Sequence, residues 1–208
     1  MKKTMVCSFL GVFLLVGFPN HSSAGTVNND IHMYESLKLI FNGEEDTTGE
    51  NGYFYNGEKN VPKALIYAGT TYVPLRYFTN MMGDQVGWDG DQNIIWVNGE
   101  KPEVDNSGSD EIQKIVGGIN VHAAGKPLFV DSVDFFFYPG LKLYFNGTED
   151  TSGTNGLYFN GWRDVPKHLI INGSTYVPLR YFAEHLGIPK EEIQWDPTIP
   201  AISVGAAK

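Results

Sequence analysis

The chain has 208 residues and a formal net charge of −9 at pH 7, with 24 acidic residues against 15 lysines and arginines. Because an acidic surface is repelled by phosphate backbones, we expect no nucleic-acid partner. The only cysteine, Cys7, cannot form a disulfide within the chain, so packed apolar area must stabilise the fold.

The first 24 residues have the pattern of a secretory signal peptide. Lys2 and Lys3 precede the uncharged apolar stretch 5–18, and residues 22–24 are the small residues that a signal peptidase requires. The apolar stretch is shorter than the roughly 20 residues of a membrane-spanning helix. We therefore expect residues 1–24 to be removed and the mature protein, which has no membrane span, to be secreted or associated with the cell surface.

The rest of the chain contains two copies of one sequence module. A shift of 104 residues superposes segment 37–83 on segment 141–187 without a gap, and 29 of these 47 positions are identical. Internal repeats of this kind indicate duplication of a whole structural unit. The predicted division is a signal peptide at 1–24, a first module at 25–98, an acidic linker at 99–118 and a second module at 119–208.

The same short elements are predicted in each module. In chain order the first module has a strand at 37–41, a strand at 53–55, a hairpin of 64–67 with 70–73, a helix at 75–82, and a strand pair of 85–88 with 94–97. The helix is indicated by Leu75, Phe78 and Met82, which share one helical face. A few strands with one short helix in each module predict a β-rich fold of the α+β class.

The second module differs from the first at both ends. Segment 119–137 is apolar and predicts extra strands, for which segment 30–34 is the weaker counterpart in the first module. At the other end, Pro197 and Pro200 interrupt the last hairpin, which predicts a short edge strand.

Each module also carries a recognisable motif. The run Thr-Tyr-Val-Pro-Leu-Arg at 71–76 and 175–180 is followed by a short helix, a glycine, and Trp-Asp before a final strand. This combination resembles the copper amine oxidase N-terminal-like domain, or stalk domain, in two tandem copies over 61–97 and 165–204. The domain recurs in exported proteins of Gram-positive bacteria, and in the oxidases it holds neither copper nor quinone. The resemblance therefore implies a non-catalytic protein without a cofactor.

The motif residues are expected to have structural roles. They are Pro74, Leu75, Arg76, Trp88, Asp89, Pro178, Leu179, Arg180, Trp195 and Asp196. The resemblance implies that both arginines are partly buried and paired with an acidic neighbour, such as the aspartate after each tryptophan. We expect both tryptophans to lie in the core.

No catalytic centre is predicted. The histidines are scattered along the sequence with no pair at ligand spacing, and no Asn-Tyr dipeptide is present from which a quinone of the oxidase type would form. The sequence also lacks a Ser-His-Asp order, a nucleophile elbow and a phosphate loop.

A repeated acidic loop is the candidate metal site. Its oxygen-bearing residues, which suit calcium, are Glu45, Asp46 and Asn51 in the first module and Glu149, Asp150 and Asn155 in the second. The alternative is an ordinary polar loop in which glycine and asparagine permit positive φ.

Three aromatic residues, Tyr55, Trp96 and Trp162, are candidates for ligand binding. On the outer face of a strand such residues would stack on sugar rings or on a partner surface, whereas the alternative is burial in the core.

These features favour a secreted, non-enzymatic, two-module binding or spacer protein of the bacterial cell surface or medium. The expected partner is a cell-wall polymer or another surface protein. The alternatives are a secreted enzyme or enzyme inhibitor that uses the acidic loops, and an interaction module that acts through exposed strand edges.

Overall fold

The computed structural model describes residues 31–34, 37–49, 52–104, 113–123, 126–196, 198–199 and 201–205. The predicted signal peptide lies outside the described residues, so its prediction is untested. Neither α-helix in the described part of the chain has the length and apolarity to cross a membrane.

The elements of the first half follow the predicted order. They are β1 Ile31–Tyr34, β2 Lys38–Phe41, β3 Glu44–Glu45, β4 Tyr53–Tyr55, β5 Asn60–Pro62, β6 Leu65–Tyr67, β7 Thr70–Pro74, α1 Leu75–Met82, β8 Val86–Asp89 and β9 Ile94–Val97. Helix α1 begins directly after Pro74 and ends at Gly83, which adopts the left-handed conformation at φ 79°. The predicted hairpin, helix and final strand pair are therefore confirmed.

The second half begins with a long hairpin and then repeats the order from β2 to β9. Its elements are β10 Gln113–Ala123, β11 Lys126–Phe137, β12 Lys142–Phe145, β13 Thr148–Glu149, β14 Leu157–Phe159, β15 Asp164–Pro166, β16 Leu169–Ile171, β17 Ser174–Pro178, α2 Leu179–His185, a 3-10 turn Lys190–Glu192, β18 Ile193–Asp196 and β19 Ala201–Val204. Strand β10 begins inside segment 99–118, which the sequence predicted as linker. The predicted α+β class, rich in β-strands with two short helices, is confirmed.

Seven strands form a closed sheet in the order β1-β10-β11-β16-β17-β7-β6. Strands β7 and β17 join the two halves in this sheet, where Val73 is the direct partner of Val177. A core cluster belongs to it, made of Ile31, Met33, Leu65, Tyr67, Tyr72, Phe135, Leu169, Ile171 and Tyr176.

Two buried tyrosines tie the halves together reciprocally. The Tyr72 hydroxyl donates to the carbonyl of Pro166 at 2.7 Å, and the Tyr176 hydroxyl donates to the carbonyl of Pro62 at 3.0 Å. Burial raises the pKa of both phenols well above their usual value, so both remain donors at any physiological pH.

The two halves also exchange strands. Strand β2 of the first half pairs in parallel with β19 of the second, and β12 of the second half pairs in parallel with β9 of the first. The resulting four-stranded sheets, β18-β19-β2-β3 and β13-β12-β9-β8, each contain two strands from each half. The larger core cluster contains buried residues of both halves, including Leu39 and Ile202. The halves therefore share their sheets and their core.

The prediction that the last strand is an edge strand is wrong. Strand β19 lies between β18 and β2. It pairs with β18 of its own half along one edge and with β2 of the first half along the other.

Candidate functional site: two equivalent grooves between the halves

Two open grooves lie where the halves meet. The first groove, of about 350 Å³, runs beside β8, and the second, of about 330 Å³, runs beside β18. Repeat-equivalent residues line the two grooves, among them Asn56 and Asn160, Leu75 and Leu179, Arg76 and Arg180, Trp88 and Trp195, and Ile95 and Ile202. Each groove is completed by a hairpin turn of the opposite half, so neither half forms a groove alone.

An asparagine fastens each groove across the halves. The Asn56 side-chain amide donates to the Ser174 hydroxyl at 2.7 Å, and that of Asn160 donates to the Thr70 hydroxyl at 2.8 Å. The Asn56 carbonyl oxygen accepts the N–H of Glu58 and of Lys59, both at 2.9 Å, which fixes the side chain within its own turn. The opposing turn therefore has a defined position at each groove.

The sequence interpretation did not single out these asparagines. The available signal was their identity in the two repeats, each directly after the aromatic residue that ends β4 or β14. That identity alone did not indicate contact with the opposite half.

Both motif tryptophans are exposed at the grooves, which corrects the expectation that they lie in the core. Trp88 is 45% exposed and Trp195 is 48% exposed. Strands β8 and β18, which carry these tryptophans, are edge strands of their sheets. The floor beneath them is apolar, since Leu75 and Leu179 are buried.

Both motif arginines are exposed as well, and the expected pairing with the aspartate after the tryptophan does not occur. Among the described residues, the guanidinium groups of Arg76 and Arg180 have neither a hydrogen bond nor an ion pair. Each lies in the first turn of its helix, where the helix dipole disfavours a positive charge. The stability of the two helices therefore does not explain why an arginine occupies these positions.

The two aspartates instead stabilise turns. Asp89 binds the Lys101 ammonium and accepts the N–H of Gln92, and these contacts hold its pKa below the usual value. Asp196 accepts the hydroxyl and the N–H of Thr198 at 2.6 and 2.8 Å, which lowers its pKa in the same way.

The acidic loops contain buried ion pairs. Asp46 is buried, lies 2.7 Å from the Lys63 ammonium, and accepts the hydroxyls of Tyr77 and Thr48. Burial raises the pKa of the Asp46 carboxyl, but the lysine and the hydroxyls outweigh burial and the pKa falls below its usual value. Asp46 is thus committed to Lys63 and is not an open calcium ligand.

The second acidic loop repeats this arrangement. Asp150 lies 2.6 Å from the Lys167 ammonium, accepts the Tyr181 hydroxyl, and lies 3.4 Å from Nε2 of His185. Burial again raises the pKa of the Asp150 carboxyl, and the contacts with Lys167 and Ser152 reverse the effect, so the pKa is lowered.

The other calcium candidates do not converge on these aspartates. Glu45 pairs with Lys38 at 2.9 Å, and Glu149 accepts the Tyr144 hydroxyl at 2.9 Å. Asn155 occupies a turn with φ 51°, as the polar-loop alternative predicts, and Asn51 lies outside the described residues. In the part of the chain that the structure describes, no group of three or more His, Cys, Asp or Glu residues is arranged to hold a metal.

The three candidate aromatic residues are not brought together. Tyr55 and Trp162 are 63% and 73% exposed, whereas the half-buried Trp96 packs its ring against Gly87. None of the three lines a groove, but the Trp162 ring lies beside Gly69, which lines the second groove.

Comparison with known families finds a similarity to one of them over part of the chain. Residues 46–132 match the family model of the copper amine oxidase N-terminal domain. This domain is non-catalytic in copper amine oxidases. No curated protein matches the chain significantly, and no solved structure does. The match agrees with the resemblance inferred for 61–97 and does not extend to 165–204.

Proposed function

We propose that this protein is a secreted, non-enzymatic binding protein of the bacterial cell surface or medium, which holds its ligand in the two grooves. The observation that carries the proposal is the repetition of an unpaired arginine and a half-exposed tryptophan at equivalent positions of both grooves. The packing of the fold does not require the arginine or the tryptophan side chain to be exposed. Arginine and tryptophan are also the residue types that dominate binding surfaces.

We further propose that the second half is another copy of the same domain. The identity of 29 among 47 positions supports this, as does the common order of elements from β2 to β9 and from β12 to β19. Export is supported by the signal-peptide pattern of residues 1–24.

The chemistry of the grooves favours binding over catalysis. Their lining combines an apolar floor with a guanidinium, an indole, an amide and hydroxyls, which are groups that orient a ligand. The acidic residue of the first groove, Glu58, corresponds in the repeat to Trp162, so the two grooves do not share a carboxylate. Two sites on one rigid chain gain avidity for a repetitive target, and a cell-wall polymer or a surface protein is the proposed partner.

Co-sedimentation of the mature protein with isolated Gram-positive cell walls tests this function. We expect saturable pelleting of the wild type and its loss in the double variant Trp88→Ala/Trp195→Ala. The matched control is Tyr55→Ala/Phe159→Ala, which removes two repeat-equivalent aromatics, each 63% exposed, that line neither groove. Pelleting of the tryptophan variant at the wild-type level would refute the role of the grooves.

A further inference from the structure

The open edge of a β-strand faces each groove. In the described part of the chain, β8 pairs only with β9 and β18 pairs only with β19. Three consecutive residues of β8, Val86, Gly87 and Trp88, line the first groove. One face of a strand would present only alternate side chains. Since Gly87 has no side chain, its backbone must line the groove.

The pairing of β8 with β9 identifies the backbone groups that point outward. The N–H of Asn98 donates to the carbonyl of Gln85 at 2.9 Å, which makes these two residues a hydrogen-bonded pair. Such pairs alternate along an antiparallel ladder, so Gly87 also bonds toward β9. The N–H and carbonyl groups of Val86 and Trp88 therefore point away from β9, along the open edge.

The second groove repeats this geometry. The N–H of Gly205 donates to the carbonyl of Glu192 at 3.1 Å, and the same alternation directs the bonds of Gln194 toward β19. The Ile193 N–H donates to the Lys190 carbonyl in the preceding 3-10 turn. The carbonyl of Ile193 and both backbone groups of Trp195 are left at the open edge, and both residues line the groove.

An unpaired positive charge accompanies each open edge. Arg76 lines the first groove and Arg180 the second, both exposed and without an ion pair among the described residues. A guanidinium binds a carboxylate through two parallel hydrogen bonds. On a chain with 24 acidic and 15 basic residues, each of these guanidinium groups can attract an anionic group of a ligand.

We infer that each groove binds a short, extended peptide that adds as a strand to β8 or β18 and pairs a carboxylate with Arg76 or Arg180. The inference rests on the proposed function and specifies its ligand. Strand addition supplies main-chain hydrogen bonds, and the half-exposed tryptophan supplies apolar contact. A four-residue edge is about 13 Å long, which limits the ligand to three or four residues in contact. The C-terminal tail of an exported protein has this chemistry.

Binding to synthetic peptides tests the carboxylate. The probe is a random pentapeptide library attached through its N-termini, prepared once with free C-terminal carboxylates and once with carboxamides. We expect the mature protein to be retained at least tenfold more by the carboxylate library. The variant Arg76→Gln/Arg180→Gln should lose this preference. The control Lys38→Gln/Lys142→Gln removes two repeat-equivalent cations outside both grooves and should keep it.

Hydrogen exchange tests strand addition with the best carboxylate peptide. The amides of Val86, Trp88 and Trp195 should gain protection, whereas those of Gly87 and Gln194 should not change. Equal retention by both libraries, no retention by either, no gain in protection, or a dimer of the free protein in light scattering would overturn the inference. If wall binding still required Trp88 and Trp195 in that case, the proposed function would stand and only the peptide assignment would fail.

Discussion

Val73 and Val177 are direct partners in the antiparallel pairing of β7 with β17, and each is the repeat equivalent of the other. Their pairing marks an approximate twofold relation between the halves. The exchanged strands, the reciprocal tyrosine bonds and the two grooves all follow this relation. The repeats therefore fold as one interlocked body, and both grooves lie at their junction.

Removal of the Asp46 charge should destabilise the protein strongly. In Asp46→Asn the Lys63 ammonium, whose side chain is only 9% exposed, would remain buried without its partner. We expect the free energy of unfolding in urea to fall by about 3 kcal/mol. The control is Glu45→Gln at the preceding position. Its pair with Lys38 is exposed, and the loss of this pair should cost less than about 1 kcal/mol. Equal losses in the two variants would contradict the account.

The close contact between Gly87 and Trp96 should show up as coupling between the two positions. A Cβ at position 87 would lie 2.1 Å from the Trp96 ring, so Gly87→Ala forces the ring to move. We expect a loss of about 2 kcal/mol in the free energy of unfolding. The second half has Gln194 opposite Ser203 at this place, so Gly87→Ala should be tolerated when combined with Trp96→Ser. Strict additivity of the two changes would show that the ring does not limit position 87.

His168 should make stability depend on pH below neutrality. The ring is buried, its Nε2 accepts the N–H of Tyr138 at 3.0 Å, and its Nδ1 has no partner in the described structure. Burial lowers the pKa of His168 from 6.5 to about 3, so between these values the unfolded state binds the proton and the folded state does not. Stability is therefore fully present above pH 6.5 and falls as the pH decreases.

The variant His168→Ala, which copies Ala64 of the first half, isolates this effect. Its thermal and urea stability at pH 7 should be lower because of the cavity. Its further loss between pH 6.5 and 5 should be smaller than that of the wild type, by up to about 1.4 kcal/mol per pH unit. Parallel stability curves for the two proteins would mean that His168 does not titrate as its burial requires.

Local elements could be predicted from the sequence because their signals are local. The predicted strand at 53–55 coincides with β4, and the spacing of Leu75, Phe78 and Met82 located α1. The parallel pairing of β2 with β19 could not be predicted, because it joins segments at opposite ends of the chain. That pairing also decides which strands become edges.

The environments of the groove residues and of the acidic loops were harder to predict, because they also depend on contacts between segments that are separated in the sequence. Trp88 and Arg76 belong to a motif with an expected structural role, and only the assembled structure shows that both side chains are exposed at the first groove. Conversely, Asp46 was a calcium candidate because a run of oxygen-bearing residues surrounds it. Its partner Lys63 lies further along the chain, and the sequence pattern did not indicate that the two side chains form an ion pair.

Fragment complementation tests the interlocked architecture and its sites together. The mature chain is divided between residues 104 and 105, and the two fragments are studied separately and mixed, by circular dichroism and by wall co-sedimentation. Because the closed sheet, both four-stranded sheets and each groove require both halves, we predict that neither fragment folds or pellets alone and that an equimolar mixture recovers both properties. A fragment that folds as a monomer and pellets with walls by itself would contradict the account.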